Sequence, residues 1–183
     1  MTASATLREQ TRDRHQIVED HYNLRQVVRG DPAPATYARV LGALHTVHAP
    51  AEGWLAVALP DLPWMRRAGL LAADLTALGA TPPADAGPAL PAGGTRAEAL
   101  GAAYVLEGSR HGGAVLARRL RRHGDPAVAG ACRFFAGTGG APDVAWGDFR
   151  ARLDAALAPD DLPQAVAAAR AVFDALEGAL DVA

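Results

Sequence analysis

The chain has 183 residues, of which 50% are hydrophobic and 21% charged, and its formal net charge is −2. These values predict a single folded domain over residues 1–183 and exclude an intrinsically disordered chain. Because the net charge is close to zero, we expect neither nucleic acid nor an anionic membrane surface as a partner. All 18 basic residues are arginine, which excludes Schiff-base chemistry and a phosphate-binding loop built on lysine.

The single cysteine, Cys132, further limits the chemistry, since it has no partner for an internal disulfide or a thiolate metal cage. Its apolar neighbours predict a buried thiol. The N-terminal residues lack the basic and apolar regions of a signal peptide, and no apolar run approaches the roughly 18 residues of a membrane span. We therefore expect a soluble, cytoplasmic protein.

Apolar residues recur with helical periodicity along most of the chain, whereas alternating, strand-like segments are hard to find. Thr95 and Glu98 form a capping-box pattern at the start of one long helix, and Pro50 predicts a bend inside another. Loops rich in glycine and proline are expected over about 79–94 and 137–140. The predicted fold class is all-α, a single-domain bundle of about seven helices, placed at about 5–22, 35–59, 64–78, 95–122, a short segment ending near 136, 142–157 and 161–180.

Four glycines interrupt the predicted helix at 95–122, although glycine in a helix interior costs up to about 1 kcal/mol. Gly108 and Gly112 are one turn apart on the same face, and the pair Gly112–Gly113 favours a bend. Two interpretations stay open for these positions and for Gly101. The glycines allow either close packing of two helices or the approach of a flat ligand to the helix backbone.

His15 lies at the edge of the inward face of the first predicted helix, together with Leu7, Thr11 and Val18. Glu19 is four residues further on, where its carboxylate can hold one imidazole nitrogen and leave the other free to bind a metal. A purely structural histidine is the alternative.

Arg8 precedes His15 by seven residues, about 10.5 Å along the helix axis and on nearly the same side. A planar, dianionic ligand would require such a ligating histidine together with a guanidinium for its carboxylates.

Two segments carry a resemblance to a known family. The sequence from Leu7 to His15, Leu-Arg-Glu-Gln-Thr-Arg-Asp-Arg-His, resembles the N-terminal helix of haem oxygenases, which ends in the proximal histidine. The sequence from Tyr104 to Leu116, Tyr-Val-Leu-Glu-Gly-Ser-Arg-His-Gly-Gly-Ala-Val-Leu, is similar to the distal helix of the bacterial, biliverdin-producing branch. The resemblance implies an all-α fold in which haem lies between the first helix and a kinked distal helix.

The resemblance also implies roles for individual residues. His15 would be the proximal iron ligand, with Glu19 as the partner of its imidazole. Arg8 and Arg150 would bind the haem propionates, and Tyr104 would line the distal pocket. The distal glycines, whose backbone would cover the other face of the haem, are Gly108, Gly112 and Gly113.

Catalysis would involve Gly108, Ser109, His111 and Gly112 in the distal helix. Ser109 stands where mammalian-type members carry an aspartate that organises distal water. His111 departs from the family pattern, which places an apolar residue there. Three roles stay open for His111: a hydrogen bond to distal water, ligation of the iron as a sixth ligand, and a position in solvent.

The implied activity is oxidative cleavage of haem, which is both substrate and cofactor, to biliverdin, carbon monoxide and ferrous iron. It would use O₂ and electrons from a ferredoxin- or reductase-like donor, and the biliverdin could pass to a photoreceptor. Two alternatives stay open: a non-catalytic haem-binding or haem-sensing protein on the same scaffold, and a cofactor-free helical interaction module. A thiaminase-like hydrolase on a related scaffold would need a catalytic cysteine, and the apolar surroundings of Cys132 disfavour it.

Overall fold

The computed structural model describes residues 1–62, 64–84, 94–110, 113–137 and 142–183, and every regular element within these ranges is helical. The all-α fold predicted from the sequence is therefore confirmed. No helix in this part of the chain is long and apolar enough to cross a membrane. The helices are α1 Ala3–Gln10, α2 Arg12–Asp20, α3 Tyr22–Arg29, α4 Pro34–Ala58, α5 Ala68–Ala77, α6 Arg96–Gly108, α7 Gly113–Leu120, α8 Pro126–Gly130, α9 Arg133–Ala136, α10 Pro142–Ala156 and α11 Leu162–Asp181, with a 3₁₀ turn at Pro159–Asp161 before the last.

The core of the bundle is the contact between α6 and α11, on which α4 and α10 also pack. Gly101 lies against the backbone of α11, since an added Cβ would overlap the carbonyl oxygen of Ala165. The packing interpretation therefore holds at this glycine. The predicted capping box at the start of α6 is present: Thr95 Oγ1 accepts from Glu98 N at 3.3 Å, and Glu98 Oε2 accepts from Thr95 N at 2.6 Å.

Several predicted helices are divided more finely in the structure. The segment predicted at 5–22 is broken at Thr11, and a further helix, α3, follows a second break at His21. The imidazole of His21 accepts a hydrogen bond from Asn23 N at 3.3 Å and so caps α3, which the sequence analysis missed. At its other end, the Arg119 guanidinium donates to the carbonyls of Val27 and Val28. The start of this short helix is thus capped by the residue before it, and its end is stabilised by a distant arginine.

A buried pair on α4 couples stability to pH. His48 is 2% exposed and Glu52 is 7% exposed, and His48 Nδ1 lies 3.3 Å from Glu52 Oε1. Burial lowers the pKa of His48 from 6.5 to about 4, and burial also lowers the pKa of His45 one turn earlier. Hydrogen bonds from His48, Arg67 and Ala68 hold the pKa of Glu52 below its ordinary value, in spite of its burial.

We expect the free energy of unfolding to fall as the pH is lowered from 7 to 5. Between the lowered pKa of folded His48 and its ordinary value, the unfolded chain binds a proton that the folded chain does not, so acid favours unfolding. Urea unfolding at the two pH values measures the difference, which should be smaller in His48→Gln. Equal stability of the wild-type chain at pH 7 and pH 5 would contradict this assignment.

Candidate functional site

The first two helices bury one stripe of residues against the bundle and leave His15 at its edge. Leu7, Thr11 and Val18 are 0%, 2% and 9% exposed, as the helical spacing predicted. The His15 side chain is 56% exposed, and its ring meets the edge of Phe173 on α11 at a centroid distance of 5.7 Å. The imidazole is therefore supported on an aromatic surface and open to a ligand on its other side.

Glu19 lies beside His15 as its position on the helix predicted. The distance from His15 Nδ1 to Glu19 Oε2 is 3.6 Å, which is longer than a direct hydrogen bond but within ion-pair range. Within the described part of the chain, Nε2 of His15 has no hydrogen-bond partner. The carboxylate thus favours the tautomer with a proton on Nδ1, and Nε2 carries the free lone pair.

Side chains of α10 and α11 hold the first two helices in place. The carboxylate of Asp154 accepts from Ser4 N at 2.6 Å and from the Ser4 hydroxyl at 3.0 Å, which joins the start of α1 to α10. Arg170 Nε donates to the Gln10 carbonyl at 2.8 Å, next to the break at Thr11. These contacts fix where Arg8 and His15 stand relative to α10 and α11.

Tyr104 of α6 lies where Arg8 of α1 and Arg150 of α10 come together. The tyrosine is 8% exposed, and burial raises the pKa of its hydroxyl. The positive charges of Arg8 and Arg150 are close enough to oppose this rise in pKa. Both arginines are exposed, and neither forms an ion pair with a described residue, although Arg150 lies 5.7 Å from the centre of the Trp146 ring. Two exposed guanidinium groups therefore lie near the Tyr104 side chain, each without an ion-pair partner among the described residues.

Gly108 and Gly113 face different neighbours. A Cβ added at Gly108 would lie 3.4 Å from the Trp146 ring, whereas one added at Gly113 would lie 2.6 Å from the backbone carbonyl oxygen of Phe135 on α9. The second contact is backbone on backbone, so Gly113 is needed for packing of α7 against α9. Its assignment to the haem face stays a prediction. His111 and Gly112 lie outside the described residues, and the roles predicted for them stay predictions.

Ser109 is exposed at the end of α6, but its hydroxyl is engaged. It donates to the Leu106 carbonyl at 2.7 Å and accepts from Arg67 Nη2 at 2.6 Å. Arg67, which is only 2% exposed, and the buried Glu107 beside it were not predicted as site residues from the sequence. One signal was available: Glu107 is a carboxylate within an otherwise apolar run of α6, a position that requires buried partners.

Comparison with known proteins identifies the family of this chain. The family model described as "Heme oxygenase" matches residues 1–178. A curated heme oxygenase from Xanthomonas campestris pv. campestris (strain 8004) is 38% identical over 148 residues, in a match that covers 75% of this chain and 84% of the relative. The chain therefore belongs to the haem oxygenase family, as its two sequence motifs predicted.

Solved structures share the fold over the whole chain. The NO- and CO-bound heme oxygenase of Neisseria meningitidis has a TM-score of 0.77 at 24% identity, with 100% of this chain and 92% of that chain covered. The heme oxygenase of Leptospira interrogans has a TM-score of 0.80 at 20% identity, with both chains fully covered. Heme oxygenase-1 from the cyanobacterium Synechocystis sp. PCC6803, in complex with heme, has a TM-score of 0.76 at 16% identity, with 100% and 92% covered. At these identities the likeness establishes the fold.

Proposed function

We propose that this chain is an active haem oxygenase, which cleaves haem to biliverdin, carbon monoxide and ferrous iron with O₂ and external electrons. Family membership over residues 1–178 supports the reaction class. The observation that carries the proposal is the accessible imidazole of His15, whose Nε2 has no partner among the described residues. Glu19 beside Nδ1 and Phe173 against the ring edge leave Nε2 as the nitrogen through which this imidazole would bind an iron.

The side chains around this imidazole fit a haem. His15 would ligate the iron through Nε2, while Glu19 holds Nδ1 and keeps the ring oriented. Phe173 supports the imidazole from the side of α11. The bound haem supplies the iron that binds and activates O₂, so the protein's task is to hold, orient and shield it.

Arg8 and Arg150 would bind the two carboxylates of the ligand. Each guanidinium is exposed and lacks an ion-pair partner among the described residues, so binding an anion requires no existing pair to break. A planar guanidinium matches a carboxylate with two parallel hydrogen bonds. Ion pairs at both propionates would set the rotation of the ring about the iron–imidazole axis.

Gly108 and Ser109 would form the distal side. The Trp146 ring lies 3.4 Å from the position that a Cβ of Gly108 would take, so this ring and the α6 backbone would together form the distal wall against a flat ligand. Ser109 would organise distal water through the remaining lone pair of its hydroxyl, since the hydroxyl proton is donated to the Leu106 carbonyl and one lone pair accepts from Arg67. The three roles left open for His111 remain so. The electron donor, of ferredoxin or reductase type, the transfer of biliverdin to a photoreceptor and the cytoplasmic location remain parts of this proposal.

We expect Arg150→Glu to lower haem affinity by about tenfold, because a charge-assisted pair becomes a repulsive one. The matched control is Arg152→Glu, an exposed arginine two positions along α10 whose side chain points to another face of the helix. Haem titrations followed by absorbance give both affinities. Equal affinities of the two variants would remove Arg150 from the propionate site.

Haem added to the purified protein, followed by a reductant in air, tests the proposed activity. We expect a Soret band, then its decay with the appearance of biliverdin and carbon monoxide. A stable Soret band without biliverdin would instead indicate a haem-binding or haem-sensing protein. No Soret band would leave the cofactor-free interaction module.

A further inference from the structure

The backbone of the distal helix departs from α-helical hydrogen bonding where α6 ends, and the Leu106 carbonyl is the first in the described residues to lose its donor. In a continuous helix the Arg110 N–H would donate to the carbonyl of Leu106. It donates instead to the Glu107 carbonyl at 3.2 Å, while Ser109 N donates to Val105 O at 3.2 Å. The Leu106 carbonyl thus loses its expected backbone donor at the point where α6 ends.

Arg67 supplies the missing donor. Its Nη2 donates both to the Leu106 carbonyl and, at 2.6 Å, to the Ser109 hydroxyl, which itself donates to the same carbonyl at 2.7 Å. One guanidinium group therefore satisfies the carbonyl released by the break and orients the serine that follows it. Both bonds come from Nη2, whose two hydrogens lie in the fixed plane of the guanidinium, whereas the three hydrogens of a lysine ammonium rotate freely about the Cε–Nζ bond.

Arg67 is held rigidly enough to act in this way. Its backbone N–H donates to Glu52 Oε1 at 2.7 Å, and its guanidinium carbon lies 4.6 Å from the centre of the Phe134 ring. Glu52 and Glu107 offset its charge, and burial lowers its pKa to about 10, so it is protonated at neutral pH. Glu107 also accepts from Met65 N at 2.6 Å, which ties the segment before α5 to α6. The segment that carries Arg67 is thus fixed to both α4 and α6.

We propose that Arg67 is a positioning residue that determines where the distal helix breaks and where the Ser109 hydroxyl points. By fixing the break it also fixes Gly108, which is immediately before it and faces Trp146. The consequence for a bound haem rests on the proposed function, whereas the effect on the helix does not. Arg67 acts through the helix and makes no contact with the ligand in this account.

Amide hydrogen exchange in the haem-free protein tests the first half of the proposal. We expect Arg67→Lys and Ser109→Ala each to speed exchange at the Ser109 and Arg110 amides by about tenfold or more, since each removes a charge-assisted hydrogen bond. The double variant should exchange little faster than either single variant, because the two side chains act on one carbonyl. Unchanged exchange in Arg67→Lys, or additive effects in the double variant, would overturn the proposal.

Arg133→Lys is the matched control. Arg133 also contacts a buried carboxylate, that of Asp74 at 3.4 Å, but it lies on α9 and makes no hydrogen bond to α6. In the Arg133→Lys variant, the exchange rates of the Ser109 and Arg110 amides should stay within about twofold of the wild-type rates. If Arg67→Lys fails to fold, Ser109→Ala decides the question, since it leaves the buried charge in place. Unchanged exchange at Arg110 in that variant would then overturn the proposal.

The haem complex tests the second half. We expect Arg67→Lys to shift the Soret band and to change the ratio of biliverdin isomers, whereas Arg133→Lys should reproduce the wild-type values. An unchanged isomer ratio and Soret band in Arg67→Lys would overturn the link from helix to ligand. Failure of the wild-type chain to bind haem would contradict the proposed function alone and leave the exchange result standing.

Discussion

His15→Ala is expected to abolish imidazole ligation of the haem iron and to reduce biliverdin formation by roughly 100-fold or more. The loss follows because we assign the bond between the protein and the iron to Nε2 of His15. A haem that lacks this bond is misplaced for reaction. Resonance Raman spectra of the ferrous complex report the iron–imidazole bond directly. Added imidazole should enter the space left by the side chain and restore part of the original spectrum.

His123→Ala is the control for this experiment, since His123 lies between α7 and α8 and its Nε2 is 2.7 Å from Asp31 Oδ1. It should retain wild-type ligation. Glu19→Gln should give an intermediate result, with the imidazole still bound but its electron donation weakened. An unchanged iron–imidazole signal in His15→Ala would remove His15 from the proximal position.

Gly101→Ala is expected to lower the free energy of unfolding by about 2 kcal/mol. The added Cβ would overlap the Ala165 carbonyl, and forcing α6 and α11 apart costs about 3 kcal/mol, of which better helix propensity returns up to about 1. For a chain of this length the melting temperature should fall by about 4–8 °C. Thermal and urea unfolding of the haem-free protein both measure the effect.

Gly53→Ala makes the same chemical change in a helix where space is available. Gly53 is an exposed position inside α4, and an added Cβ meets nothing within 4 Å. We expect this variant to gain up to about 1 kcal/mol from helix propensity. A stable Gly101→Ala variant, equal to or above wild type, would mean that α6 and α11 can separate at no cost.

Much of the fold could be predicted from the sequence, because helical periodicity is a local property. The start of α6, with Thr95 and Glu98, and the long α4 containing Pro50 agree with the structure. The predicted helix bounds are wrong where contacts with residues distant in the sequence determine where a helix begins. The helix predicted at 64–78 begins only at Ala68, since the backbone before it donates to the side chains of Glu52 and Glu107.

The candidate site likewise contains residues whose proximity could be predicted from the sequence and residues whose proximity depends on helix packing. His15 and Glu19 are four residues apart on one helix, so their proximity could be predicted from spacing alone. The approach of Arg8 and Arg150 to Tyr104 depends on how α1, α6 and α10 pack, and only the family resemblance indicated it.

The glycines show the limit of the local pattern most clearly. Gly101 and Gly108 occur in the same helix and are equally unusual there. The structure separates them: Gly101 meets the backbone of α11, and Gly108 meets the ring of Trp146. Arg67 had no local signal, because its partners Leu106 and Ser109 are about 40 residues further along the chain. Packing between helices determines both the neighbours of the two glycines and the partners of Arg67, and helical periodicity does not encode this packing.

A crystal structure of the haem complex tests the central claim most directly. We predict electron density for a haem whose iron is bound by His15 Nε2, with the backbone at Gly108 over the opposite face and the propionates at Arg8 and Arg150. A haem bound elsewhere in the bundle, or one ligated by another residue in place of His15, would contradict this account.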